Sequence, residues 1–215
     1  MIRAFVQARM SSQRFPGKVL APLGGQPVLK RLLEKIVQVV PLSSVVVLTS
    51  VEPSDDPLAC YAQSLGVPLY RGELENVAKR FFHCLCEYPC DWFIRLCADS
   101  PLLDATVLKT LTAYQERWDL DLVTNVYPRT FPKGYSVEMV KAESFATLDV
   151  DALSAEEKEH VTAVFYRRPQ RFRILNVTSG DPRQAGLSYA VDTLEDLKRL
   201  EALGNANGWW EETKG

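Results

Sequence analysis

No acidic residue precedes Glu34 in this chain of 215 residues. Any cation in that opening segment therefore lacks a local carboxylate to neutralise it. A global excess of positive charge is also missing. The formal net charge is -2, which gives no electrostatic reason to expect DNA or RNA as a partner. No apolar run approaches the roughly 20 residues of a membrane span. The apolar residues 2–6 are too short for the core of a secretion signal, and Arg9 and Arg14 follow them, so a cytoplasmic protein with no membrane partner is the expectation. No paired Cys-x-x-Cys occurs, and the cysteines number five, which argues for free thiols. The run His83-Cys84-x-Cys86-x3-Cys90 is dense in soft ligands. It reads as a helix, however, where Cys84 and Cys86 point to different faces, and buried apolar cysteines suit it better than zinc.

What is present is an alternation. Residues 2–6, 45–49, 69–70, 92–96 and 120–124 read as strands. Between them, residues 27–39, 54–65, 73–88 and 104–118 read as helices, with Pro27 in the first turn of its helix. This order predicts an α/β fold of three layers, a mostly parallel sheet covered by helices on both faces. The regularity loosens after Asn125. There the pattern predicts a turn at Phe131-Pro132-Lys133-Gly134, strands over 136–140, 173–177 and 189–191, and helices over 155–166 and 193–203. No repeat, low-complexity tract or linker divides the chain, which reads as a single domain over 1–215.

The chemistry concentrates in Ala8-Arg9-Met10-Ser11-Ser12-Gln13-Arg14-Phe15-Pro16-Gly17-Lys18. A loop that gathers Arg9, Arg14 and Lys18 just after a strand is built for an anion, most simply a polyphosphate. It is not a Walker A loop, because Ser12 and Val19 stand where that motif needs a glycine and a hydroxyl residue, and no GxGxxG is present either. Arg9 and Arg14 can fork onto phosphate oxygens, and Lys18 supplies a point charge. Asp99 follows the strand over 92–96. A carboxylate facing a polyphosphate loop repels the ligand unless a cation such as Mg2+ intervenes. Asp192 lies at a similar strand-to-helix junction, where it suits either metal binding or an N-cap completed by Glu195.

These blocks resemble the sugar cytidylyltransferases: the 3-deoxy-manno-octulosonate and acylneuraminate enzymes, and above all the family of the spore-coat polysaccharide biosynthesis protein F. The resemblance runs through residues 8–18, Arg71-Gly72 with Asn76-Val77 and Arg80, and Arg95 through Asp104. It continues through Phe131-Pro132-Lys133-Gly134 to Val137-Glu138, Glu159-His160-Val161-Thr162, and Val191-Asp192-Thr193 with Glu195-Asp196.

The resemblance implies a Rossmann-type nucleotide-diphospho-sugar transferase fold, with a nucleotide-binding half over about 1–125 and an acceptor-binding half over about 126–215. It implies that CTP gives CMP to a small sugar acceptor with release of pyrophosphate. Arg9, Lys18 and Asp99 would be catalytic. Ala8, Arg9, Ser11, Ser12, Arg14, Lys18, Arg71, Gly72 and Arg80 would bind the nucleotide. Asp99 and Asp192 would hold Mg2+, and Lys133, Tyr135, Glu138 and His160 would face the acceptor. Three positions depart from the family pattern: Ser136, Asn76 and Cys97. A glycosyltransferase or a nucleotidyltransferase for another base would share this fold, and so would a non-catalytic binding subunit. Trp209-Trp210 suits either a homodimer contact or packing of the tail on its own domain.

Overall fold

The computed structural model describes residues 1–210. Nine strands form among the described residues: β1 (Ile2–Gln7), β2 (Pro22–Leu23), β3 (Gln26–Pro27), β4 (Val45–Ser50), β5 (Leu69–Gly72), β6 (Trp92–Cys97), β7 (Leu122–Thr124), β8 (Glu138–Lys141) and β9 (Ile174–Asn176). The α-helices are α1 (Val28–Ile36), α2 (Asp56–Ser64), α3 (Val77–Glu87), α4 (Ala105–Thr112), α5 (Ala142–Ala146), α6 (Ala155–Glu159), α7 (Ala163–Arg167) and α8 (Leu194–Ala206).

The main sheet runs β5-β4-β1-β6-β8-β7-β9, and β2 and β3 pair separately. Strands β5, β4, β1 and β6 are mutually parallel. β8 is antiparallel to both neighbours, and β7 and β9 are parallel. Alternation along the strands sorts the core into two faces. Ala4 and Val6 of β1 pack with α1, α2 and α4, whereas Phe5 packs with α3, α5 and α7. Every residue of β4 is buried, as expected of a parallel strand covered on both sides. The expected three-layer α/β arrangement is therefore present.

Caps decide where several helices begin, and they correct the expected boundaries. Asn76 accepts a hydrogen bond from the Lys79 amide at 2.9 Å, so α3 starts at Val77 rather than at residue 73. α4 ends at Thr112, well short of residue 118. Pro27 precedes α1 instead of lying in its first turn. Thr193, not Asp192, caps α8, and Asp196 rather than Glu195 completes the capping box. This one-residue displacement frees the Asp192 side chain from the helix.

The helix expected over 155–166 breaks at His160, which has non-helical dihedrals. Val161 turns fully inward there, and the Thr162 hydroxyl donates to Glu138 Oε1 at 2.7 Å. Residues 189–191 are extended but form no strand. They are docked by two backbone bonds, Tyr189 N–H to the Lys133 carbonyl at 2.6 Å and Val191 N–H to the Asp99 carbonyl at 2.8 Å.

Gly134 makes the first of these contacts feasible. Its φ is +97°, and a Cβ there would meet the Tyr189 carbonyl carbon at 2.7 Å. Gly134→Ala should therefore cost about 2 kcal/mol and lower the melting temperature by about 4–8 °C, measurable by calorimetry.

Candidate active site

The cleft opens where chain connections part. β1 and β6 are parallel neighbours, but the chain leaves β1 toward β4 and returns through β5 to β6 on the other side. Open α/β sheets bind ligands at such a point, beyond the carboxyl ends of the strands. Here the cleft has a volume of about 550 Å³. Its walls come from the loop after β1, the end of β6, the start of α3, the α6–α7 break and Asp192.

The loop after β1 has a fixed shape. Ala8 N–H donates to the Leu48 carbonyl at 2.9 Å, and Gly17 N–H donates to the Met10 carbonyl at 2.8 Å. Met10 N–H donates to Asp55 Oδ1 at 2.7 Å. Gly17, with φ of 75°, turns the chain so that Lys18 enters a short 3-10 turn.

Lys18 Nζ reaches Asp99 Oδ2 at 2.8 Å and Asp192 Oδ1 at 3.1 Å. Arg14 adds a contact to Asp192 Oδ1 at 2.8 Å, and Lys133 reaches Asp192 Oδ2 at 2.5 Å. Burial pushes the Asp192 carboxyl up, but hydrogen bonds from Lys133 and Lys18 outweigh it and hold the group below the usual carboxylate range. The two carboxylates converge because the Val191–Asp99 backbone bond lays residues 191–192 beside the end of β6.

Arg80 forms part of the cleft wall and is 2% exposed. Its Nη1 donates to the Glu73 carbonyl at 3.0 Å, and its buried Nε has no partner among the described residues. Burial, with Arg9 adding repulsion, brings its pKa down to about 10, so it stays charged at neutral pH. A buried guanidinium with an unsatisfied N–H and no contacting carboxylate among the described residues is suited to an incoming anion. Across the cleft Arg9 approaches Glu159 at 3.8 Å, and His160 lies beside it.

The structure thus brings together Ala8, Arg9, Ser12, Arg14, Lys18, Arg80, Asp99, His160 and Asp192 around one cleft. Lys133 joins them through its contact with Asp192. Other expected residues lie elsewhere. Arg71 donates to the Ser50 and Glu52 carbonyls and pairs with Asp56, because β5 is the sheet edge and β4 separates it from β1. Gly72 acts indirectly: a Cβ there would crowd Arg80 Cγ at 3.0 Å. The Ser11 hydroxyl is buried without a partner among the described residues. Tyr135 stacks on Tyr189, ring centroids 5.3 Å apart, and lines a separate concavity with Trp209 and Trp210.

Glu138 is 3% exposed and is not part of the cleft lining. It accepts hydrogen bonds from Arg95, Thr162 and Tyr166, so it ties the His160 segment to the sheet. Arg95 itself lines the cleft and donates from Nε to Gln7 Oε1 at 3.1 Å. Sequence reading gave Arg95 no role, although a lone charge in the apolar strand 92–97 was a signal. The cysteine run follows its helical geometry, with Cys84 buried and Cys86 exposed.

A family model described as cytidylyltransferase matches residues 4–214. The chain belongs to the cytidylyltransferase family. It is accordingly a nucleotidyltransferase. The spore coat polysaccharide biosynthesis protein SpsF of Bacillus subtilis is 29% identical over 206 residues, covering 92% of this chain and 84% of that protein. A cytidylyltransferase from Leptospira borgpetersenii superposes with a TM-score of 0.86 at 24% identity, covering 100% of this chain and 98% of that one. The CMP:2-keto-3-deoxy-manno-octonic acid synthetase, solved in complex with CTP, gives 0.73 at 17% identity, covering 96% and 99% of the two chains. These two structures share the fold.

The Asp192 contacts set a pH dependence. A carboxyl held low in the folded state contributes stability above its unfolded pKa of about 3.9 and loses it as pH falls through the folded value. Urea unfolding midpoints should therefore fall below about pH 4, and Asp192→Asn should flatten part of that slope.

Proposed function

We propose that the protein transfers CMP from CTP to a hydroxyl of a sugar acid or related sugar, releasing pyrophosphate, to activate the sugar for surface polysaccharide synthesis in the cytoplasm. The observation that carries this reading is the convergence of Arg9, Arg14, Lys18 and Arg80 on the same cleft as Asp99 and Asp192. Resemblance to SpsF and to the CTP-bound synthetase supports the base and the acceptor class. No helix among the described residues is long and apolar enough to cross a membrane.

The acceptor hydroxyl oxygen attacks the α-phosphorus, its proton passes to water, the bond to the β-phosphate oxygen breaks, and pyrophosphate leaves. Little covalent help is needed from protein, so positioning and charge neutralisation dominate. Arg9, Arg14 and Arg80 would hold the phosphate chain, and Lys18 would stabilise the charge that grows on the departing pyrophosphate. Asp99 and Asp192 would hold a divalent cation, taken here as Mg2+. Their donor set fits one: two hard carboxylates already share a single cation, the Lys18 ammonium. When bound, such an ion polarises the phosphate. Lys133 and His160, beside Asp192 and Glu159, would meet the acceptor.

Pyrophosphate release should be fastest with CTP among the four nucleoside triphosphates when a panel of sugar acids is offered. Asp99→Asn and Lys18→Met should each slow it by about 10²–10³-fold. Release with UTP or GTP in preference to CTP would overturn the base assignment.

A further inference from the structure

We propose that Asp55 is a positioning residue for triphosphate capture, acting on the loop after β1 from outside the cleft. The proposal rests on the nucleotide-binding reading of that loop. Asp55 lies in the turn between β4 and α2, is fully buried and contributes no surface to the cleft. Its two carboxylate oxygens serve different elements. Oδ1 accepts the Met10 N–H at 2.7 Å. Oδ2 accepts the Ser50 N–H at 3.0 Å and the Ser50 hydroxyl. One side chain thus fastens the loop to the end of β4.

Met10 is the residue where that fastening matters. Its carbonyl accepts the Gly17 N–H at 2.8 Å, which closes residues 10–17 into a ring carrying Ser12, Gln13 and Arg14 and delivering Lys18. With Met10 held at N–H by Asp55 and at C=O by Gly17, the ring has one root on the sheet. A loop fixed before the ligand arrives loses less conformational freedom on binding, and its affinity rises accordingly.

A carboxylate suits this position better than an amide. The donors approach both oxygens, and an asparagine offers one oxygen and one NH2. Whichever way the amide turns, either Met10 or Ser50 meets another donor. The Asp55 charge has a second effect, since it favours the charged form of buried Arg80, countering the repulsion from Arg9. Burial pushes the Asp55 carboxyl up, yet its donors together keep it below the usual range, so it is ionised at neutral pH.

The test compares Asp55→Asn with Ser50→Ala, which removes the hydroxyl that donates to Oδ2 and accepts the Glu52 N–H at 3.2 Å while leaving the Met10 contact in place. Titration calorimetry with CTP and with inorganic tripolyphosphate measures affinity, and a melting curve measures stability. Asp55→Asn should weaken both ligands about tenfold and raise KM for CTP similarly, with kcat changed less than about threefold. Ser50→Ala should bind both within about twofold of wild type, even where its melting temperature falls as far. Equal loss of affinity in the two variants, or Asp55→Asn binding within twofold of wild type, overturns the proposal.

Hydrogen exchange on the wild type gives a check that needs no variant. The Met10 amide should exchange slowly without ligand. Fast exchange that slows only on adding tripolyphosphate shows a loop ordered by the ligand and overturns the proposal. A wild type that binds neither CTP nor tripolyphosphate, with Met10 still protected, removes the nucleotide reading and with it the role assigned to Asp55.

Discussion

One ammonium group sets the geometry of the cleft. Lys18 stands between Asp99 and Asp192, and two carboxylates so close together would repel strongly without it. Arg14 and Lys133 complete the neutralisation on the Asp192 side. Arg9 then has the half-exposed Glu159 at 3.8 Å, and Arg80 has the buried Asp55 carboxylate behind it, outside the cleft. The cleft carries a positive surplus in a protein whose net charge is slightly negative, so its attraction for anions is local.

The scaffold supports this balance from beneath. Gln7 on β1, Arg95 on β6, Glu138 on β8 and Thr162 and Tyr166 at α7 form a continuous hydrogen-bonded layer below the cleft. The layer joins the strand that launches the basic loop to the segment that carries His160. A buried carboxylate with a guanidinium and two hydroxyls around it is well satisfied, and its ionised form is favoured despite burial.

Legibility in the sequence followed distance along the chain. The basic loop was readable because cations without nearby carboxylates are a one-dimensional property. The layer order was readable from alternating strand and helix patterns. Asp192 was harder, because its approach to Asp99 depends on a backbone bond between Val191 and Asp99, and its freedom depends on Thr193 taking the cap. Glu138 read as a ligand-facing charge because nothing in 136–140 shows that β8 is inserted, antiparallel, between β6 and β7. Arg71 stands apart from the cleft lining for a related reason: its strand is the edge, which only the sheet order reveals. Asp55 was invisible, since its partners are backbone amides and a serine from two other segments.

The backbone bond from Val191 to Asp99 ties the site to a distant part of the chain. The basic loop precedes Asp99 in the chain, and Asp192 follows both at a long distance. The part of the chain that builds the four parallel strands carries Arg9, Arg14 and Lys18, yet only half of the acidic pair. Val191, whose N–H holds the pair together, also packs with Leu197 and Leu200 of α8 against Leu23 and Val28, so the acidic pair and this core cluster share one anchor.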